Sequence, residues 1–332
     1  MKKKELIFRF LSFTDTHHTM LNPTHRLDNL FLTTIQKVEE IAQVAKDLKV
    51  DAVFHEGDLY HSPIISDTVA TIIGQLYKKF DNLFILPGNH DLKGNNINTL
   101  NQTKLGLMTG LGIGKIVNYG DIYKFEKNGI TVQLTGSPSD FDINNDKEKF
   151  ILRQKECDIA IHLVHAMLLQ QDAKFGKYMP IREIQEETVA DITISGDFHL
   201  GFDPIEYNGK VFLNSGAIAR RTILMDEINR MPQYAIINIY DDKSFDYEYI
   251  PLKCAKKGIE VLDRSKMEEK KEYQKEIENF KDIIKSLNKN NFNNISDIID
   301  DISNEKNIDP EIIKYSLEKI DYVRTNFNLE EV

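Results

Sequence analysis

The sequence predicts an α/β fold of layered sheets flanked by helices, with a helical C-terminal extension and a functional site at the carboxyl ends of its strands. Three observations predict it. Short apolar runs of strand character alternate with helical periodicity in the N-terminal part of the chain. Beyond Tyr123 the pattern becomes strand-rich. Five clusters of oxygen and nitrogen donors each directly follow one of the apolar runs: Asp15-Thr16-His17, Gly57-Asp58-Leu59-Tyr60-His61, Gly88-Asn89-His90-Asp91, His165, and Gly196-Asp197-Phe198-His199. Ligands for one site have to come from several rigid elements, and strand ends in open α/β sheets supply them.

In chain order, Ile7 to Thr14 reads as a strand running into Asp15. From Arg26 onward apolar residues from Leu27 to Leu48 recur at helical spacing. Asp51-Ala-Val-Phe is the next strand, a helix is expected over Ser66 to Lys79, and Asn82-Leu-Phe-Ile-Leu is a third strand ending at Pro87-Gly88-Asn89. Later strands are expected at Ile130 to Thr135, Ile159 to Val164, Ile192 to Ser195, Lys210 to Leu213, Tyr234 to Ile239 and Phe245 to Ile250. The division is then 1–250 for the main domain, 251–264 for a linker or short strand, and 265–332 for a helical region. In that region a helix is expected over Ser265 to Leu287, a break at Asn288 to Asn294, and a new helix at Asp309-Pro310-Glu311, where a capping Asp precedes Pro in the first turn. Glu, Lys and Asn dominate this tail, which suits either a solvated appendage or a cap or partner-docking segment.

A chain of 332 residues with 41% hydrophobic content can bury a sizeable core. Its formal net charge of -10 excludes a strongly basic, DNA-coating surface, but not an enzyme that touches nucleic acid locally. Two cysteines, Cys157 and Cys254, make no disulfide framework, so a reduced, cytoplasmic protein is expected. Glu5 and Arg9 interrupt the run after Met1-Lys2-Lys3-Lys4, which therefore does not read as a signal peptide. No run approaches the roughly 20 apolar residues that span a bilayer.

The donors are Asp, His and Asn, without Cys, a set that suits first-row divalent ions such as manganese or iron. They are too many for one ion. Two ions about 3.5–4 Å apart and sharing a carboxylate would use them all, and such pairs serve phosphoester displacement. The remaining His90 is then free to protonate a leaving oxygen, with Asp91 expected to orient its ring.

These motifs, in this order, resemble the calcineurin-like metallophosphoesterase superfamily over roughly residues 5–250. More closely, they are similar to its DNA-repair nuclease branch, the bacterial SbcD subunit and its archaeal, eukaryotic and compact phage relatives. Two features carry the closer resemblance: His61 three residues after Asp58, and the late turn Phe212 to Arg220. The resemblance implies that Asp15, His17, Asp58 and His199 hold a first metal, that Asp58 bridges, and that Asn89, His165 and Asp197 complete the second. It implies His90 as the catalytic histidine and His61 as a group acting on the DNA phosphate or positioning the strand. The implied cofactors are two divalent ions, manganese foremost. The implied partners are DNA, an SbcC-like ATPase subunit and a second copy of the chain, with no membrane.

The chain departs from the family pattern in two places. Gly196-Asp197-Phe198-His199 stands where the family usually reads Gly-His-x-His, and a carboxylate there adds negative charge and bears on metal preference. Ser215 and Ala217 replace Pro and Ser in the late turn. Of the other histidines, His162 lies three residues before His165 on one strand and so faces the opposite side, as a core or supporting residue. His55 is expected to be packed, and His25 is a candidate phosphate contact. Arg220 and Arg221 are either phosphate contacts or an ordinary surface pair. The leading expectation is a two-metal DNA phosphodiesterase acting on ends or hairpins, as exonuclease and in addition as endonuclease. The alternative is a phosphatase or small-molecule phosphodiesterase on the same fold. A non-enzymatic scaffold is disfavoured because every motif position keeps a competent donor.

Overall fold

The computed structural model describes residues 4–170, 176–287 and 308–327. The chain divides into two compact units, Met1–Asp263 and Arg264–Val332.

Two six-stranded sheets form the first unit. The strands are β1 Leu6–Phe13, β2 Ala52–His55, β3 Leu83–Ile85, β4 Lys115–Ile116, β5 Tyr123–Lys127, β6 Ile130–Ser137, β7 Ile159–His165, β8 Leu168–Leu169, β9 Met179–Pro180, β10 Ile192–Gly196, β11 Phe202–Tyr207, β12 Lys210–Asn214, β13 Gln233–Tyr240 and β14 Phe245–Pro251. The first sheet runs β14-β13-β1-β2-β3-β4 and the second β11-β12-β10-β7-β6-β5. In each, the central strands are parallel and antiparallel strands close an edge. Parallel strands point their carboxyl ends the same way, so β1, β2 and β3 deliver their loops to one rim, and β7 and β10 do likewise.

One apolar cluster takes side chains from both sheets, among them Phe10, Phe54 and Phe84 of the first and Leu134, Ile161 and Ile194 of the second. Phe10 and Phe54 stack with ring centroids 5.2 Å apart. Residues of the opposite parity on the first sheet, Leu11, Phe13, Val53 and Ile85, pack with helices α1 Leu30–Asp47, α2 Asp67–Tyr77 and α3 Lys104–Gly110. The central strands are buried on both faces and therefore read as continuous apolar runs rather than alternating ones.

α1 begins at Leu30, not near Arg26 as the periodicity predicts. Asn29 caps it by accepting from Leu32 N at 3.1 Å, and Asn22 Oδ1 accepts from Leu30 N at 2.8 Å. Leu27, assigned by spacing to the helix's apolar face, lies outside the helix and is exposed. Ser66 caps α2 where a helix start is expected. Residues 251–264 hold a one-turn helix, Gly258–Val261, and only an isolated bridge between Arg26 and Leu262 where a strand was one of the two expectations.

In the second unit the described helices are Ser265–Leu287 and Pro310–Phe327, the latter started by Asp309, which accepts from Glu311 N at 2.9 Å. The break expected at Asn288 to Asn294 lies outside the described residues. Among the described residues no helix is long and apolar enough to cross a membrane. Cys157 and Cys254 are free thiols.

Candidate metal centre

The donor-bearing loops leave the strands through unusual backbone. Asp15, His17, Asp58 and Asp197 all adopt positive φ, at 53°, 42°, 54° and 77°. Non-glycine residues rarely sit there, and such conformations persist only where surrounding contacts enforce them. Here Asp15 N and His17 N bond to Gly57 O and Asp58 O at 3.1 and 2.9 Å, zipping the first loop to the second. Asp197 N donates to Asp15 Oδ2 at 3.2 Å, which ties the fifth cluster to the first. Two glycines let the loops close up. A Cβ at Gly57 would overlap the ring of His165, and one at Gly88 would overlap the Asp58 carboxylate.

The structure brings the predicted donors together in two overlapping groups. Asp15, His17, Asp58 and His199 offer ligand atoms within 4.8 Å of one another, and so do Asp58, His165 and Asp197. Asn89 joins the second group, with Oδ1 3.3 Å from His165 Nε2. Asp58 belongs to both and turns Oδ2 to His17 Nε2 at 3.5 Å and Oδ1 to His165 Nε2 at 3.4 Å. His199 Nε2 lies 3.5 Å from Asp15 Oδ1 and 3.0 Å from His17 Nε2.

These residues fit divalent ions. Ligand atoms held about 2.1 Å from an ion stand about 3.0–3.4 Å from each other in octahedral or tetrahedral geometry. The spacings above, 3.0–3.5 Å, lie in or just beyond that range, while His17 Nε2 to Asp15 Oδ1 at 3.7 Å and His165 Nε2 to Asp197 Oδ1 at 4.0 Å are wider. Asp15 Oδ1, which faces His199 Nε2 and His17 Nε2, is buried without a hydrogen-bond partner. His165 Nδ1 donates to the Glu56 carbonyl, which leaves the Nε2 lone pair for a ligand bond. Burial, opposed by His165 and reinforced by Asp58 and Asp15, pushes the Asp197 carboxyl up to about 6. Burial also lowers His17 to about 3, against the pull of Asp58, which keeps its imidazole neutral and able to ligate.

Beside the first group stand His61 and His90. Their rings stack with centroids 5.0 Å apart and an interplanar angle of 19°. Each offers a nitrogen within 4.8 Å of the other's and of one from His17. His90 Nδ1 donates to the His61 carbonyl at 2.9 Å, so Nε2 is the nitrogen left for chemistry.

Asp91 does not orient that ring. Its carboxylate accepts from three backbone groups, Leu59 N at 3.2 Å, Tyr60 N at 2.9 Å and Gly88 N at 3.0 Å. Asp91 therefore clamps the second cluster to the third, and the orienting acceptor for His90 is the His61 carbonyl.

The late turn supports the site through its backbone. Ala217 N, Ile218 N and Ala219 N bond to His199 O, Thr14 O and Asp15 O at 2.9, 3.0 and 3.2 Å. On the other side Arg230 donates to Ala217 O at 2.7 Å and Ala219 O at 3.3 Å, Lys37 to Ile218 O at 2.9 Å, and Arg26 to Arg220 O at 3.1 Å. The segment is thus held between the ligand loops and a cage of three basic side chains, Arg230, Lys37 and Arg26. Arg220 is neither a phosphate contact nor a surface pair: it is 1% exposed and donates to the carbonyls of Arg230 and Lys256. Arg221 is half-buried and donates to His61 Nε2 at 3.0 Å. His25 donates to Arg221 O at 3.0 Å. His162 is turned away from the centre, bonded to Thr135 at 2.9 Å, and His55 packs against the rings of Phe13 and Tyr77, bonded to Thr16 at 3.1 Å. Donors and acceptors in the cage come from distant segments, and no local spacing marks them.

The calcineurin-like phosphoesterase family matches residues 8–201, more than half of the chain. No curated protein matches it. Among solved structures, a conserved Streptococcus pneumoniae protein described as a predicted phosphoesterase is 18% identical, with 74% of this chain and 91% of that one covered at a TM-score of 0.35. The calcineurin-like phosphoesterase YfkN from Bacillus subtilis is 13% identical, with 80% and 94% covered at a TM-score of 0.44. A purple acid phosphatase from yellow lupin (Lupinus luteus) seeds is 14% identical, with 74% and 54% covered at a TM-score of 0.42.

Proposed function

The chain belongs to the calcineurin-like phosphoesterase family, a family of metal-dependent hydrolases, and from that premise we propose that its substrate is DNA. In this reading it is an SbcD-like, two-metal phosphodiesterase that cuts at ends or hairpins, as exonuclease and endonuclease, in a reducing cytoplasm. It works as a homodimer with an SbcC-like ATPase, and the helical region from Arg264 onward is the candidate docking segment. Manganese is the favoured metal, in keeping with a donor set of carboxylates, imidazoles and one amide.

The observation that carries the reading is the stacked pair of His61 and His90 beside the ligand cluster. One imidazole suffices to protonate a leaving oxygen. A second, with its ring held parallel to the first, supports a substrate whose phosphate must also be gripped and turned, as in a polynucleotide backbone.

Two divalent ions, held by Asp15, His17, Asp58 and His199 and by Asp58, Asn89, His165 and Asp197, would supply Lewis-acid polarisation of the phosphoryl group and a nucleophile at neutral pH. The chain's own residues do the rest. His90 carries a proton at Nε2 to the leaving oxygen while its Nδ1–H stays on the His61 carbonyl. Asp91 keeps the two loops that carry His61 and His90 in register.

The test is nuclease activity on end-labelled double-stranded and hairpin DNA with added manganese, beside His90→Ala. Metal-dependent cleavage that is lost in the folded, metal-loaded variant supports the reading. A wild type that leaves DNA intact with and without an SbcC-like ATPase, yet hydrolyses small chromogenic esters, replaces it with the phosphatase or small-molecule phosphodiesterase alternative.

A further inference from the structure

Arg221 takes no part in the chemistry above, and its surroundings are unusual for an arginine. Its Nη2 donates to His61 Nε2 at 3.0 Å, while its Nη1 is buried with no partner. Burial alone shifts its pKa, downward, and no carboxylate among the described residues holds it up. A desolvated guanidinium without a counter-charge is costly unless an anion completes it. The main chain bearing Arg221 is positioned with care: Ala219 N is tied to Asp15 O, Arg220 O to Arg26, and Arg221 O to His25.

The second unpaired group lies one hydrogen bond away. A guanidinium only donates, so His61 Nε2 must be the acceptor and the ring's proton sits on Nδ1. That His61 Nδ1 is also buried without a partner. Arg221 Nη1 and His61 Nδ1 are therefore two orphaned donors on a pair of side chains that hold each other, beside His90 and His17.

We propose that Arg221 is an anion-binding residue of this site, which takes a non-bridging oxygen of the substrate's phosphoryl group through Nη1 and holds His61 as the neutral Nδ1–H tautomer, a second donor to the same group. A phosphoryl group has acceptor oxygens enough for both. His61 thereby binds and does not transfer a proton, which leaves proton transfer to His90 Nε2. The inference rests on phosphoester hydrolysis at this centre and not on DNA as the substrate.

The experiment is calorimetric titration of the full, metal-loaded chain with inorganic phosphate, for wild type, Arg221→Gln and Arg221→Lys, with metal content measured on each sample. A lost charge-assisted bond predicts phosphate binding weakened about tenfold or more in Arg221→Gln, at unchanged metal content. Arg221→Lys keeps the charge and the stem but loses the fork, so its loss is smaller. The imidazole nitrogen chemical shifts of His61 should report the Nδ1–H tautomer in wild type and a mixture in Arg221→Gln. Wild-type phosphate binding that stays within twofold in both variants overturns the role of Arg221. So does a loss that follows metal content down in both. Absence of phosphate binding by metal-loaded wild type overturns the anion site, while the hydrolytic reading stands or falls on the turnover test.

Discussion

His17 Nε2 and His199 Nε2 face each other at 3.0 Å, with Asp15 Oδ1 3.7 Å and Asp58 Oδ2 3.5 Å from the former. Two imidazole lone pairs at that distance repel unless a proton or a cation lies between them. An Nε2–H of one ring or a shared cation satisfies that contact, and the two carboxylates beside it favour the cation. The pair therefore predicts that folding and metal binding are linked. At a metal concentration about 100 times Kd, one bound ion adds about 2.7 kcal/mol of stability. For a domain of this size that is a rise in Tm of roughly 5–10 °C. The measurement is calorimetric melting with Mn2+ and with a chelator. His17→Ala and His199→Ala should each shrink the gap, and an identical Tm with and without metal would falsify the linkage.

Arg230 and Glu227 pair at 2.7 Å with little exposure of either side chain, and Arg230 also takes the carbonyls of Ala217 and Ala219. Removing one partner of such a pair leaves an uncompensated buried charge and two carbonyls without donors, at a penalty of about 3 kcal/mol or more. Arg230→Ala is expected to lose that much in urea unfolding. It should also weaken metal binding, because Ala217 N and Ala219 N brace His199 and Asp15. A destabilised variant with wild-type metal affinity would separate the cage from the centre.

Lys37 makes stability depend on pH. Burial first, then the neighbouring Arg220, Arg26 and Arg230 charges, push its pKa down to about 7 from the 10.5 usual for lysine. Between those values the unfolded chain binds the proton and the folded chain does not, so stability rises with pH across the window. The slope from one group is at most about 1.4 kcal/mol per pH unit. Comparing urea midpoints at several pH values from 7 to 10 should show that rise in wild type and a flatter profile in Lys37→Met, which has no proton to release. Parallel profiles for the two proteins count against it.

Asp91 separates architecture from chemistry. Its carboxylate satisfies Leu59 N, Tyr60 N and Gly88 N, and an amide in its place would set an N–H₂ against donors. Each buried N–H left unpaired costs about 1–3 kcal/mol. Asp91→Asn should therefore lower Tm and activity together, whereas His90→Ala should lower activity with Tm nearly unchanged. If Asp91→Asn melts like wild type and only its rate falls, the clamp is not its role.

What was legible in the sequence follows from how local each signal is. Strands buried on both faces read as apolar runs, and donors directly after them are visible without knowing the topology, as with Phe13 into Asp15 or His165 at the end of β7. The opposite facing of His162 and His165 follows from strand geometry alone. Edge strands were harder: β4 is two residues long, β5 is mostly exposed, and β11 carries Pro204. The start of α1 was misplaced because the Asn29 cap and the Asn22 brace outweigh an apolar spacing that continues back to Leu27. Asp91 was misassigned because its acceptors are needed by a loop some thirty positions earlier, and sequence proximity to His90 suggested the nearer partner. Arg220, the largest fully buried side chain among the described residues, is expected from sequence as a phosphate contact or one of a surface pair, because arginines rarely sit in a core.

Asp197 gives the two groups of donors different character. Asp15, His17, Asp58 and His199 present two nitrogens and two oxygens, whereas Asp58, Asn89, His165 and Asp197 present one nitrogen and three oxygens. Oxygen-rich sets favour harder ions such as Mn2+ and Mg2+, and added imidazole favours Zn2+. The second site should therefore discriminate less against Mg2+ than the first. Asp197→His should shift it towards Zn2+, because the substitution exchanges an oxygen for a nitrogen and removes one of the crowded negative charges. Competition between Mn2+ and Zn2+, followed by the electron paramagnetic resonance signal of bound Mn2+, reads this without reference to turnover. The asymmetry holds if Zn2+ displaces one Mn2+ more readily from the variant than from wild type, and fails if both proteins release their ions at the same Zn2+ concentration.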